Sequence, residues 1–162
     1  METSEKALEA AFAFNVTSAF SLIKLAVPHL AANGSGSSGS IVNISSRAAS
    51  MVQPCFTAYA AAKAALSMMS RAMAPELAPK IRVNAIEVGG VETDALANVL
   101  TDPSVRERLE ANTPMRRVGR TDDIAACVVY LASDAAAWVT GKIFEVDGGV
   151  ESPAFTVPFQ PL

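Results

Sequence analysis

The sequence predicts an α/β fold: part of a doubly wound parallel sheet with helices on both faces. Two observations carry this. Short apolar, β-branched runs alternate with longer helical stretches, the pattern of strands joined by helical crossovers. Each candidate strand is apolar on both faces, as expected where helices cover both sides of a parallel sheet.

The elements follow in order. Residues 3–31 read as a well-buried helix, with Leu8, Phe12, Phe14, Phe20, Leu22, Ile23 and Leu25 spread over most of its circumference. Pro28 is expected to kink or end it. Residues 33–40, NGSGSSGS, form a loop. Residues 41–45, IVNIS, form a strand, and 47–55 are irregular. Residues 57–73 return to helix, with Pro75 and Pro79 marking its fraying end. Residues 81–86, IRVNAI, make a second strand, which Gly89 and Gly90 break. Thr93 is placed to cap a helix over about 94–111, interrupted by Pro103. Thr121, followed by Asp122 and Asp123, caps a helix that runs to about Ser133. A third strand covers 142–146, and the proline-bearing tail from Glu151 is expected to lie extended. Three strands are few for such a sheet, and the chain opens on a helix, so the expectation is one incomplete domain over 1–162.

Composition narrows the function. The 162 residues amount to about one domain. With 51% hydrophobic and 18% charged residues, the chain is not of the disordered class. A formal charge of -3 and 6% aromatics give neither the basic surplus nor the stacking platforms of a nucleic-acid binder. Cys55 and Cys127 lie far apart with no metal or redox spacing, and His29 is the lone histidine. The expectation is a reducing, cytoplasmic setting without a metal. METSEKALEA lacks the pattern of a signal peptide, and no membrane span is expected, since no apolar run reaches the roughly 20 residues one needs.

One motif misleads. Gly34-Ser35-Gly36-Ser37-Ser38-Gly39 spells G-x-G-x-x-G, but a helix precedes it and a strand follows. A phosphate-binding turn needs the reverse order, so that the phosphates meet a helix N-terminus. We read it as a loop.

The chemistry-bearing residues lie elsewhere. Tyr59 and Lys63 are four apart on one helix and share a face. A phenol, with a reference pKa of about 10, is a poor base at neutral pH, and a neighbouring ammonium favours its phenolate. Such a pair suits proton exchange at a carbonyl or alcohol oxygen. Ser46 ends the first strand thirteen residues earlier, where catalytic groups of parallel sheets gather. Ser45 and Ser46 also suit an ordinary strand-end turn. Asn15 lies inside an apolar helix, where its amide needs a partner; a structural hydrogen bond is the default account, and a proton relay the sharper one.

Asn15 in FNVTSAF, SIVNISS, YAAAK, IRVNAI followed by VET, and TGKIFEVDGG together resemble the second half of the short-chain dehydrogenase/reductase family, in order and spacing. The resemblance covers essentially the whole chain and implies a Rossmann-like fold. It implies an enzyme that moves hydride between NAD or NADP and a secondary alcohol or ketone, hydroxysteroids among them. Asn15, Ser46, Tyr59 and Lys63 correspond to that family's catalytic residues. Tyr59 would be the acid/base, Lys63 would hold the nicotinamide ribose, Ser46 would position the reacting oxygen, and Asn15 would hold a relay water. Gly89, Val91 and Thr93 fall where the family contacts the nicotinamide end. Homodimers or homotetramers are implied as well.

Two departures stand out. The family's Pro-Gly turn is Val88-Gly89 here, preceded by an added carboxylate, Glu87. The glycine-rich first strand and turn, the residue that selects NAD or NADP, and the N-N-A-G segment have no counterpart, so the adenosine and pyrophosphate half of the cofactor site is not expected in this chain. The alternative to an enzyme is therefore a truncated, non-catalytic remnant or a dimerisation module. Met51, Val52, Cys55 and Phe56 are candidates either to line an apolar substrate pocket or to pack a connecting loop.

Overall fold

Three β-branched runs become strands β1 (Gly39–Ser46), β2 (Ile81–Val88) and β3 (Ile143–Val146), paired in parallel in the order β1-β2-β3. The structure, a computed structural model, describes residues 3–32, 38–94, 96 and 100–153. Its helices are α1 (Glu5–Phe12), α2 (Ser18–Ala31), α3 (Thr57–Leu77), α4 (Pro103–Asn112) and α5 (Thr121–Ala132), with a π-helical turn at Ala13–Thr17 and 3-10 turns at Arg47–Ala49 and Asp134–Ala136. The register sets Ile41 beside Val83, and Ser45 beside Glu87, which in turn lies beside Glu145.

Helices cover both faces of the sheet, as a doubly wound, Rossmann-like fragment requires. On one face Ala74, Ile81 and Val83 pack with Val27, Leu30 and Met73 from α2 and α3. On the other, Ile86, Leu131 and Ala136 pack with Val42, Val128 and Phe144 around α5. Ile86 and Leu131 are fully buried, each stabilising by about 1.5–3 kcal/mol relative to exposure. A smaller cluster of Leu100, Leu109 and Val118 lies under α4. Buried polar groups lock the strand ends. Asn84 donates to the Val139 carbonyl (2.9 Å) and accepts from Lys142 N–H (3.0 Å). The Arg82 guanidinium donates to the Leu131 (2.8 Å) and Ser133 (3.2 Å) carbonyls, two acceptors left at the C-terminal end of α5.

Several boundaries differ from expectation, each for a local reason. The predicted helix over 3–31 is continuous but passes through the π-helical turn at Asn15. It runs three residues past Pro28, whose ring lies in the last turn, where few hydrogen bonds remain to lose. It is also not well buried: Ile23 is its only buried residue among those described. Likewise α3 runs past Pro75 to Leu77. Pro103 does not interrupt a helix but begins one: Asp102 Oδ1 accepts Ser104 N–H (2.9 Å), and Pro103 takes the first position, where no N–H is needed. Thr121 is not the cap of α5. Arg120 is, and the Asp123 carboxylate reaches back to accept the Arg120 N–H (2.7 Å). β1 and β2 are longer than the β-branched runs that foretold them. Gly39 opens β1, so the strand takes in the last two residues of the expected 33–40 loop. Residues 33–37, 95 and 97–99, and the tail from 154, lie outside the described residues.

The continuous helical run Glu5–Ala31, 27 residues long, is by length and composition sufficient to cross a membrane, and only 6% of its most apolar stretch is buried. In the sequence Glu9, Asn15, Lys24 and Pro28 interrupt the apolar residues, so no unbroken run announces it. Phe14, Leu22 and Leu25 stand exposed on it, at 79%, 68% and 71%.

Candidate functional site

The C-terminal ends of β1 and β2 and the first turns of α3 meet at one edge of the sheet. Tyr59 and Lys63 fall in the first two turns of α3, which starts at Thr57. Tyr59 is half-exposed, with its ring edge-on to Phe56 at 6.3 Å between centroids. Lys63 Nζ lies 5.7 Å from the centre of the Tyr59 ring and donates to the Ile44 carbonyl at 3.0 Å. The helical spacing thus delivers the pairing expected of it, and β1 anchors the ammonium. Burial holds the Lys63 pKa below its ordinary value.

Ser46 closes β1 and caps the following 3-10 turn, its Oγ accepting the Ala48 N–H (3.2 Å). Ser45 points the other way. Its Oγ donates to the Lys63 carbonyl (3.0 Å), tying α3 to β1. Asn15 donates from its amide to the Ala11 carbonyl at 2.9 Å, within its own helix. That bond satisfies the amide locally, which is the structural account of this residue.

The nicotinamide-end candidates lie past the end of β2. Gly89 donates its N–H to the Val146 carbonyl (3.1 Å), and a Cβ there would sit 2.6 Å from the Asp147 Cα. Close approach, not dihedral freedom, demands glycine. Val91 is buried and bridged to Gly119. Thr93 is exposed, and its carbonyl accepts the Leu96 N–H (2.9 Å).

A cleft of about 450 Å³ opens beside Ser46, lined by Met51, Phe56, Val88, Leu109 and Val118 among others. Of the predicted pocket residues, Met51 and Phe56 line it. Val52 is 86% exposed and Cys55 is exposed, and neither takes part. Gln53, which sequence reasoning passed over, does. Tyr59 and Lys63 are not in the cleft wall; Phe56 connects the cleft to the Tyr59 ring.

Sequence reasoning also missed a charged cluster beneath this edge. Glu87, flagged only as an added carboxylate, turns under α3. There its carboxylate accepts hydrogen bonds from Ser67 (2.9 Å) and Ser50 (2.5 Å). Arg47, next to Ser46, lies within 2.7 Å of both Glu145 and Asp147 and 3.8 Å from Glu87. The usable signal was the pairing of strand-end residues 45, 87 and 145 on one sheet face, visible only once the register is known.

A family model described as enoyl-(acyl carrier protein) reductase matches residues 1–151. An uncharacterised oxidoreductase of Mycobacterium tuberculosis is 44% identical over 162 residues, covering 100% of this chain and 61% of its own. A 7alpha-hydroxysteroid dehydrogenase of Escherichia coli is 43% identical over 140 residues, 86% of this chain and 53% of its own. Among solved structures, a 7alpha-hydroxysteroid dehydrogenase complexed with NADH and 7-oxo glycochenodeoxycholic acid superposes with a TM-score of 0.87 at 38% identity, over 96% of this chain and 60% of that one. The chain therefore spans only about half to three-fifths of the length of these relatives.

Proposed function

The chain belongs to the short-chain dehydrogenase/reductase family, and from that premise we propose that it carries the catalytic half of an NAD- or NADP-dependent oxidoreductase acting on a secondary alcohol or ketone. One observation supports this most: Tyr59 and Lys63 stand one turn apart beside the β1 end that carries Ser46, next to a largely apolar cleft. The hydroxysteroid dehydrogenase relative and the Met51, Phe56 and Leu109 lining favour an apolar, steroid-like carbon skeleton.

The residues fit the nicotinamide end of such a cofactor. Lys63 spends one of its three N–H donors on Ile44 and keeps two for ribose hydroxyls. Gly89 leaves the backbone past β2 bare where a Cβ would collide, and with Val91 and Thr93 would border the nicotinamide. They do not fit the pyrophosphate end: the described residues contain no strand-to-helix turn of the G-x-x-x-G-x-G kind. When bound, the cofactor supplies or accepts the hydride.

In the reductive direction the Tyr59 hydroxyl gives its proton to the substrate oxygen, and in the oxidative direction it takes one. The Lys63 ammonium stabilises negative charge as it develops on the Tyr59 oxygen. Ser46, at the strand end, donates to the same substrate oxygen. Asn15, whose amide N–H is bonded to the Ala11 carbonyl, would act through a water.

The test fuses this chain behind the N-terminal part of the E. coli relative and screens secondary alcohols and ketones. Tyr59→Phe should lower kcat by roughly 10²–10⁴-fold while NADH or NADPH binding persists. Wild-type turnover in Tyr59→Phe would refute the assignment. A second reading, a non-catalytic association module, is favoured by the exposed Phe14, Leu22 and Leu25. A folded, cofactor-binding fusion without turnover on any substrate would support it.

A further inference from the structure

Ser46 is followed by a guanidinium with unusually many ties. Arg47 Nη1 lies 2.7 Å from Glu145 Oε1 and donates to Ser50 Oγ (2.9 Å), and Nη2 donates to the Val150 carbonyl (3.2 Å). Its Nε sits 2.7 Å from Asp147 Oδ2, a close charge pair without an aligned hydrogen bond. The Arg47 side chain is only 15% exposed. One residue thus binds the turn after β1 to the end of β3 and the turn beyond it.

Glu87 continues the connection in the other direction. Its side chain is 6% exposed and is faced by Arg47 and Ser50 from the 47–50 turn, Ser67 from α3, Ser45 from β1 and Glu145 from β3. Ser50 donates to one carboxylate oxygen and Ser67 to the other. Ser67 is one helical turn beyond Lys63. It lies 3.0 Å from Ser45 Oγ, which donates to the Lys63 carbonyl. The next residue back along β1, Ile44, receives the Lys63 ammonium. A carboxylate this buried is costly unless charged and polar partners satisfy it. Here its partners are the turn that carries Ser46 and the helical turn that carries Lys63.

We propose that Glu87 and Arg47 are positioning residues, a buried clamp that fixes the Ser46 turn and the Lys63 turn of α3 in one geometry. The clamp rests on the reading of Ser46, Tyr59 and Lys63 as the site. Neither clamp residue touches the reacting atoms. Glu87 acts on Lys63 by holding Ser67, one turn along α3, and Arg47 acts through the backbone on Ser46. The three carboxylates around Arg47 leave its charge already engaged, so it does not serve as a receptor for an anionic substrate although it borders the cleft.

The 162-residue chain itself tests this. Label its five lysines with [ε-13C]lysine, assign the Lys63 signal by its loss in Lys63→Arg, and titrate by NMR. Glu87→Ala releases Ser67 of α3 from β2 and so loosens the Lys63 turn, the ammonium regains solvent, and its midpoint rises by about half a pH unit or more toward the ordinary lysine value. Simple loss of a nearby negative charge would instead lower it, so the sign separates positioning from electrostatics. Glu87→Gln keeps one acceptor and one donor in the same shape and should hold the midpoint at or slightly below the unmutated value. A folded Glu87→Ala chain with an unchanged or lowered midpoint overturns the clamp. Should Glu87→Ala fail to fold by circular dichroism, Ser67→Ala decides: a smaller rise is expected, and no rise overturns it. The readout needs neither cofactor nor turnover. An inactive fusion with the expected shifts would refute the oxidoreductase reading alone, and an active one without them would refute the clamp alone.

Discussion

Gly89 offers a sharp quantitative test, because its neighbour Gly90 is a built-in control. A Cβ at Gly89 would lie 2.6 Å from both the Asp147 Cα and Cβ, and 3.2 Å from the Asp147 carbonyl. Ordinary contact begins near 3.4 Å, so Gly89→Ala must push the end of β3 away by most of an ångström. Two ties lie directly in the path: the Gly89 N–H bond to Val146 (3.1 Å) and the Asp147 contact with Arg47 (2.7 Å). Overpacking against backbone costs about 1–3 kcal/mol, and a lost backbone bond adds about 1 kcal/mol. The sum, about 2–4 kcal/mol, corresponds to a Tm lower by roughly 4–16 °C at 2–4 °C per kcal/mol. A Cβ at Gly90 meets only the flexible Leu109 Cδ2 at 3.5 Å, so Gly90→Ala should stay within about 1 kcal/mol of the parent. Urea unfolding followed by circular dichroism measures both. Equal stabilities for Gly89→Ala and Gly90→Ala would refute the close-approach argument, and with it the reason for glycine at the turn assigned to the cofactor.

Two further outcomes are expected. The Arg117 side chain donates to Asp123 at 2.6 and 2.9 Å, and this, with the Arg120 N–H, holds the Asp123 carboxyl down to about 2 from its ordinary 3.8. A depressed folded pKa stabilises the fold above the unfolded value, and the gain is lost as pH falls from 3.8 through about 2; acid titration of Arg117→Ala should show a weaker stability change across that window, and an unchanged profile would contradict the pairing. The apolar face of α1 and α2 should drive self-association, so sedimentation at micromolar concentration should show dimers or larger species, reduced by Leu22→Glu with Leu25→Glu, whereas a clean monomer of the parent chain would count against it.

By itself the sequence determined the element order, the parallel α/β class and the Tyr59–Lys63 pairing, because each depends on local period: alternation of strand and helix, and a four-residue step on one helix face. The boundaries at Asn15, Pro28, Pro75 and Pro103 were not legible, because a helix absorbs an amide in a π-helical turn or a proline in its end turns at small cost. Nor was the role of Glu87. Its sequence neighbours, Ile86 and Val88, point to the opposite face, while its partners Arg47, Ser50 and Ser67 come from a turn and a helix up to forty positions away. Only the register of Ser45, Glu87 and Glu145 across three strands brings them together. The cleft is of the same kind: Met51 and Phe56 line it while Val52 and Cys55 do not, since the backbone of an irregular loop, which no hydrophobic period describes, decides which side chains turn inward.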